Sequence, residues 1–278
     1  WDYSIAQMID KIQSYPAGSI TEVHIVGGVH PERDVYHYGE LLKTIKSVRP
    51  ELHIKAFTAI ELDFMIRKAK LSITEGLTYL KQCGLDSIPG GGAEIFNDDI
   101  RKQICGDKSK VIMWLTIHEV SHNAGIPSNA TILYGHIETY EHRVDHLDKL
   151  RQLQDRTNGF NAFIPLKYKH RNNLLSHIPE IPSFEDLRNY AISRIFLDNF
   201  EHIKAYWPMI GKDLALLSLS YGVDDMDGTI DDTTKIYTMA GSSESSPAMT
   251  SSQMVSLIES VGKKAIERDS VYNEIKTF

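Results

Sequence analysis

Twelve histidines are spread over the 278 residues, and one pair stands at a spacing with chemical meaning. His118-Glu119-Val120-Ser121-His122 is a formal H-E-x-x-H. On a helix it places two imidazoles on one face with a carboxylate beside them, the arrangement zinc peptidases use to activate water. Gly125 follows at the metzincin spacing, but Ser128 stands where the third histidine would be. The segment also precedes a strand, so it reads as a covering helix away from any catalytic rim. A zinc peptidase is kept as an alternative that stoichiometric zinc and chelator-sensitive peptide hydrolysis would support.

A second set of residues is dispersed, yet each group follows a β-rich run. It comprises Gly27-Gly28-Val29-His30-Pro31, Thr58-Ala59-Ile60-Glu61, Pro89-Gly90-Gly91-Gly92-Ala93-Glu94, Tyr134-Gly135-His136-Ile137-Glu138, Pro165-Leu166-Lys167, Tyr206-Trp207 and Asp224-Asp225-Met226-Asp227-Gly228-Thr229. Glycines let a backbone approach a ligand closely, while Glu61, Glu94 and Glu138 can accept bonds from ribose hydroxyls or an ammonium group. His136 has the pKa range of a general acid or base, and Trp207 offers a ring that could stack on adenine. The aspartates at 224–227 lack the loop length and terminal glutamate of an EF-hand and read as a turn closing the last strand.

The elements that must carry these groups alternate. Helical periodicity at 4–15 leads to strands at 22–26, 52–57, 85–88, 129–134, 161–164, 203–206 and 223–226. Helices are expected between them at 34–48, 60–83 with a break near Leu71-Ser72, 97–104, 110–123, 139–157, 183–200 and 211–220, and a last one at 250–262 after a polar stretch at 241–252. Such alternation implies a parallel sheet covered by helices. The expected fold is α/β, a (β/α)8 TIM-type barrel whose first βα unit is incomplete in this chain, with an open doubly wound sheet as the alternative. One domain is expected over 1–278, the barrel in 1–230 and a C-terminal extension in 231–278 packing on it.

Composition narrows the function. Apolar residues make up 42% and charged residues 24%, which fits a globular protein and excludes disordered or collagen-like chains. A net charge of −7 without long like-charge runs gives no electrostatic footprint for nucleic acid or an anionic membrane, leaving a small molecule as the expected partner. No run approaches the length that spans a bilayer, and a cytoplasmic location is expected. Cys83 and Cys105 are the only cysteines in these residues, too few for a cysteine-only cluster.

The motifs at the strand ends, from Val23 to Pro31, His53 to Glu61, Gly84 to Phe96 and Asn129 to Glu138, resemble the radical S-adenosylmethionine enzymes of the futalosine route to menaquinone. His202-Ile203-Lys204-Ala205-Tyr206-Trp207, the 224–229 motif and Glu267-Arg268-Asp269 extend the resemblance over essentially the whole chain. It implies a [4Fe–4S] cluster that cleaves S-adenosylmethionine to a 5′-deoxyadenosyl radical, with an electron donor such as flavodoxin or ferredoxin. It further implies addition of that radical to 3-[(1-carboxyvinyl)oxy]benzoate, giving 6-amino-6-deoxyfutalosine. Hydrogen abstraction and ring closure, as in the dehypoxanthine futalosine cyclase of the same route, is the alternative within the family. A noncatalytic barrel binding S-adenosylmethionine is the alternative outside it.

By the same resemblance Gly27 and Gly28 match the motif that contacts the methionyl amino group, and Gly135 and Glu138 match the tail of the adenosyl-binding motif, with Thr131 where glycine is common. Thr58 and Glu61 are placed with the cosubstrate by location. Glu94 and His136 are the catalytic candidates; His30, Lys167 and Trp207 are the substrate candidates. The C-x-x-x-C-x-x-C loop of the family is expected upstream of Trp1, so no metal ligand is assigned within these residues.

Overall fold

The computed structural model describes residues 2–171, 173–229 and 249–278. Strands β1 (Glu22–Ile25), β2 (His53–Ala56), β3 (Ser128–Tyr134), β4 (Phe160–Lys167) and β5 (His202–Ile203) are all parallel. Parallel bridges Lys55 to Ser87, Ile88 to Ser128 and Lys204 to Asp225 link these strands in series. Seven positions thus follow one another in chain order, the wall of a TIM-type (β/α)8 barrel. The expected strands at 85–88 and 223–226 are present only as these bridges, and 203–206 contracts to two residues because Trp207 already begins a helix.

Helices α1 (Ile5–Gln13), α2 (Val35–Val48), α3 (Ala59–Lys68), α4 (Ile73–Gln82), α5 (Asp98–Ile104), α6 (Val111–Asn123), α7 (Tyr140–Thr157) and α8 (Ser183–Phe196) fall between the strands. Their starts are written in the sequence. Capping boxes at Ser4/Gln7, Thr58/Glu61 and Ser72/Glu75 satisfy the first amides of α1, α3 and α4. The foreseen break between α3 and α4 occurs at Lys70, whose φ of 59° ends one helix before Ser72 caps the next. The expected helix at 211–220 is α10 (Lys212–Ser218), and a short helix that was not foreseen, α9 (Trp207–Ile210), precedes it across Gly211, whose φ is 87°. Residues 241–248 of the polar stretch lie outside the described residues.

Strand alternation divides the side chains. Val23 and Ile25, Ile54 and Ala56, and Ala130 and Ile132 pack outward against the helices as one continuous core with Leu42, Ile45, Leu62, Leu77 and Leu150. Charged residues therefore line the inside. After α11 (Ser251–Ser260) the chain forms an antiparallel hairpin, β6 (Ile266–Arg268) and β7 (Glu274–Thr277), that was not foreseen. It docks on the barrel by polar contacts: the Arg268 guanidinium donates to Asp225 at 2.6 Å, the Tyr272 hydroxyl donates to the same carboxylate, and the Tyr272 ring stacks on His202 at 3.8 Å.

Candidate functional site

Glycines 27 and 28 leave the end of β1 beside the start of α3. The Glu61 carboxylate accepts from the Gly27 amide at 2.8 Å and from both the amide and hydroxyl of Thr58 at 2.8 Å. Glu61 is buried, and burial raises its pKa against the pull of these donors. Its acceptor capacity is thereby committed to the backbone, and it fixes the exits of β1 and β2 to each other. Gly28 has open space where a side chain would stand. The structure brings Gly27, Gly28, Thr58 and Glu61 together, with Gly28 as the surface a ligand could approach.

The loop at 89–94 closes on the same corner. A Cβ at Gly91 would lie 2.8 Å from Thr58, and one at Gly90 would lie 2.5 Å from the Asn129 carbonyl, so a larger residue at either position meets its neighbour. Arg101, buried on α5, donates to the carbonyls of Ala93, Gly92 and Ser109. The Trp114 indole donates to Gly91 O at 3.2 Å and the Thr131 hydroxyl to Gly90 O at 2.6 Å. Arg101 and Trp114 escaped the sequence reading, and Thr131 entered it only for standing where glycine is common, because their role is to bind backbone carbonyls 8 to 41 residues away. Glu94, with φ 48°, forms an ion pair with Lys108.

A second corner repeats the device of the first. The Glu138 side chain is wholly buried and accepts from the amides of Gly135 (2.6 Å) and His136 (2.8 Å) and from Arg143 Nε (2.7 Å). His136 donates Nε2–H to Leu133 O at 3.1 Å, and burial lowers its pKa despite Glu138 beside it. A pocket of about 290 Å³ is lined by Gly135, His136, Glu138, Tyr140, Arg143 and Ile181.

Three candidates lie apart from any open surface or make other contacts. Trp207 is fully buried and donates Nε1–H to Gly228 O, so its ring is not presented to a rim ligand. Lys167 is buried in an ion pair with Asp186 at 2.7 Å and donates also to Ile181 O at 2.9 Å, which removes its charge from substrate recognition. His30 Nδ1 accepts from the Glu32 amide, and Nε2 lies 3.7 Å from Asp2.

The H-E-x-x-H segment lies on α6, where its histidines form a hydrogen-bond relay. His118 Nδ1–H donates to Ser128 Oγ, whose hydroxyl donates to His122 Nε2; His122 Nδ1–H donates to Thr157, whose hydroxyl donates to Leu153 O. Both nitrogens of His122 are thus occupied, Trp114 stacks on His118 at 3.7 Å, and Glu119 faces outward to Arg156. Burial holds both imidazoles neutral, His122 near a pKa of about 4. No metal-ligand group of three occurs among the described residues. The outer-layer reading holds, and the geometry gives no zinc site.

The residues present do not fit a [4Fe–4S] cluster. Cys83 is buried at the end of α4 and Cys105 follows α5, so neither forms a cysteine constellation. A glycine-rich, amide-presenting rim at the C-terminal ends of parallel strands does fit a polar cosubstrate, as it does in TIM-barrel enzymes.

Comparison with known proteins assigns the class. The crystal structure of methylornithine synthase superposes with a TM-score of 0.70 at 13% identity, covering 96% of this chain and 75% of the other, which shows the shared barrel fold. Residues 157–276 match the sequence model described as the CofH/MqnC C-terminal region. The chain is 40% identical to the aminodeoxyfutalosine synthase of Thermus thermophilus over all of its own length and 75% of the relative. It is 35% identical to that of Streptomyces coelicolor over 99% of the chain and 73% of the relative. It is also 36% identical, over 92% of the chain and 70% of the relative, to the 5-amino-6-(D-ribitylamino)uracil–L-tyrosine 4-hydroxyphenyl transferase of Methanothermobacter thermautotrophicus. The chain belongs to the family of radical S-adenosylmethionine transferases that includes the aminodeoxyfutalosine synthases.

Proposed function

We propose that this chain is the barrel of an aminodeoxyfutalosine synthase, joining the 5′-deoxyadenosyl group of S-adenosylmethionine to 3-[(1-carboxyvinyl)oxy]benzoate to give 6-amino-6-deoxyfutalosine for menaquinone synthesis. The observation that carries this reading is the 40% identity over the whole chain to the synthase from Thermus thermophilus. In this family a [4Fe–4S] cluster, when bound, supplies the electron that cleaves S-adenosylmethionine, and no part of that chemistry is assigned to Cys83 or Cys105.

The contribution of these residues is positional. Gly27 and Gly28, held by Glu61, present backbone to the cosubstrate, with Thr58 capping α3 beside them. Gly135 and Glu138 shape the adenosyl side, where Glu138 acts by ordering the loop. His136 and Glu94 remain the candidates for contact with reacting groups, and His30 a candidate at the substrate mouth. Orientation of the two substrates within a walled lumen supplies proximity and excludes competing hydrogen donors.

A second reading rests on the archaeal relatives and on the match to the CofH/MqnC region: transfer of a 4-hydroxyphenyl group, or the cyclase reaction. Anaerobic incubation of the intact, cluster-reconstituted protein with S-adenosylmethionine and a reductant separates them by product mass. Aminodeoxyfutalosine from the benzoate substrate supports the proposal. Product only from tyrosine with the ribitylaminouracil, or only from dehypoxanthine futalosine, overturns it.

A further inference from the structure

His24 sits in the middle of β1, between Val23 and Ile25, which pack toward the helices. Alternation therefore turns its imidazole with Glu22 into the barrel, and the register sets it opposite Lys55 on β2. Its charged neighbours come from both ends of the wall: Glu22 on its own strand, Lys55 on β2, and Lys204 and Asp227 from the last two strand positions. A side chain on the first strand that feels groups on the last looks across the lumen.

The surrounding charges are already matched. Lys55 is 2.7 Å from Glu22 and Lys204 is 2.6 Å from Asp227, while Asp225 beneath them holds Arg268 of the hairpin at 2.6 Å. His24 differs from all of these. Solvent reaches its ring, and neither nitrogen makes a hydrogen bond among the described residues. In a lumen whose lysines are each tied to a carboxylate, this imidazole is an uncommitted donor beside balanced ion pairs, and an arriving anion would find it first.

We propose that His24 receives a carboxylate of the substrate inside the barrel, donating an imidazole N–H to it. The inference rests on the proposed function, whose substrate carries two carboxylates. Enclosure by the barrel wall together with Lys55 keeps the free imidazole neutral by lowering its pKa. A carboxylate at hydrogen-bond distance raises it by about 1–3 units, so binding takes up protons and tightens as the pH falls from 8 to 6. Glu22, Lys55, Lys204 and Asp227 face the same ring, and their ion pairs persist on either side of the binding step.

The test is isothermal titration of the intact protein and of His24→Gln with 3-[(1-carboxyvinyl)oxy]benzoate at pH 6 and pH 8, in buffers of different ionisation enthalpy. The variant is expected to weaken binding about tenfold or more at pH 6, the effect of losing a hydrogen bond to a charged group, and to abolish the proton uptake. Its affinity for S-adenosylmethionine and its melting temperature stay unchanged. Titration with 3-methoxybenzoate, which keeps only the aryl carboxylate, assigns the partner: a loss there points to the aryl group, a loss confined to the full substrate to the vinyl group. Equal affinity and equal proton uptake in the two proteins, or a loss confined to S-adenosylmethionine, overturns the role of His24. Failure of the unaltered protein to bind the dicarboxylate overturns the proposed function instead.

Discussion

Glu61 and Glu138 show how a buried carboxylate can order the turn that follows a barrel strand. Each accepts two backbone amides, and each is buried where an uncompensated charge would be costly. Glu61→Gln must turn its NH2 end toward either the Gly27 or the Thr58 amide, leaving a buried donor unmade. The expected loss is about 1–3 kcal/mol in a urea melt, with weaker S-adenosylmethionine binding because the Gly27 loop is freed. Retention of both stability and affinity would remove Glu61 from the positioning of the rim. The α6 histidines give the opposite expectation: Glu119→Gln should leave stability within about 0.5 kcal/mol, since its partner Arg156 lies on the surface, and a chelator should leave the melting temperature unchanged. Stoichiometric zinc retained through dialysis would reverse that conclusion. At this scale the types of residue were legible, but which of them stay open to a ligand was not. Lys167 and Trp207 carry the right chemistry and are withdrawn by Asp186 and by the core, partners that lie 19 and more residues away.

Elements were read well where one residue decides. The capping boxes that begin α1, α3 and α4 and the left-handed Asn158 that ends α7 are local signals, and the segments fell within a few residues of expectation. Strand positions at 87–88 and 225 shrink to single bridges because pairing, rather than propensity, sets their length. The C-terminal hairpin was missed for a related reason. Its strands expose most of their side chains, including Ile266 and Ile275, so no alternation marks them, and it is held by Arg268 and Tyr272 converging on Asp225. Arg268→Ala leaves Asp225 with Lys204 3.7 Å away as its remaining cation. We expect a loss of about 3 kcal/mol and protease cleavage near 262–266 in an otherwise folded barrel. A hairpin as resistant as in the unaltered protein would show that the ion pair is not what docks it. Gly90→Ala is the sharper test of the loop at 89–94, because the added carbon meets the Asn129 backbone; it should destabilise by several kcal/mol or prevent folding, whereas Gly28→Ala, in open space, should not.

For the molecule as a whole, buried imidazoles contribute to the response to acid, three of them on α6 and α7. His146 accepts the Phe96 amide at Nδ1 and donates from Nε2 to Thr131 O, a pattern that needs a neutral ring. Burial lowers its pKa to about 3 and that of His122 to about 4, both below the unfolded value of 6.5, and His118 moves the same way. Their stability is therefore fully present above pH 6.5 and is lost as the pH falls toward 4, since the unfolded chain then binds more protons. Glu22 and Asp225, lowered to about 2 by their cationic partners, add a second loss at lower pH. Urea midpoints should fall steadily from pH 6.5 to 4, and His146→Gln should remove about one proton from the slope; a flat profile across that window would contradict the neutral-histidine account. The same scale separates what the chain order fixed from what folding alone decided. Alternating strand and helix patterns, capping residues and the glycine-rich strand ends determined a barrel with its candidate groups at the strand ends, because each is carried by neighbours in sequence. Which carboxylates are already occupied, which rings are buried, that a hairpin docks on Asp225, and that His24 stands unpaired opposite Lys204 and Asp227 depended on residues up to about 200 positions apart, whose contacts exist only once the wall has curved and brought its first and last strands within electrostatic reach.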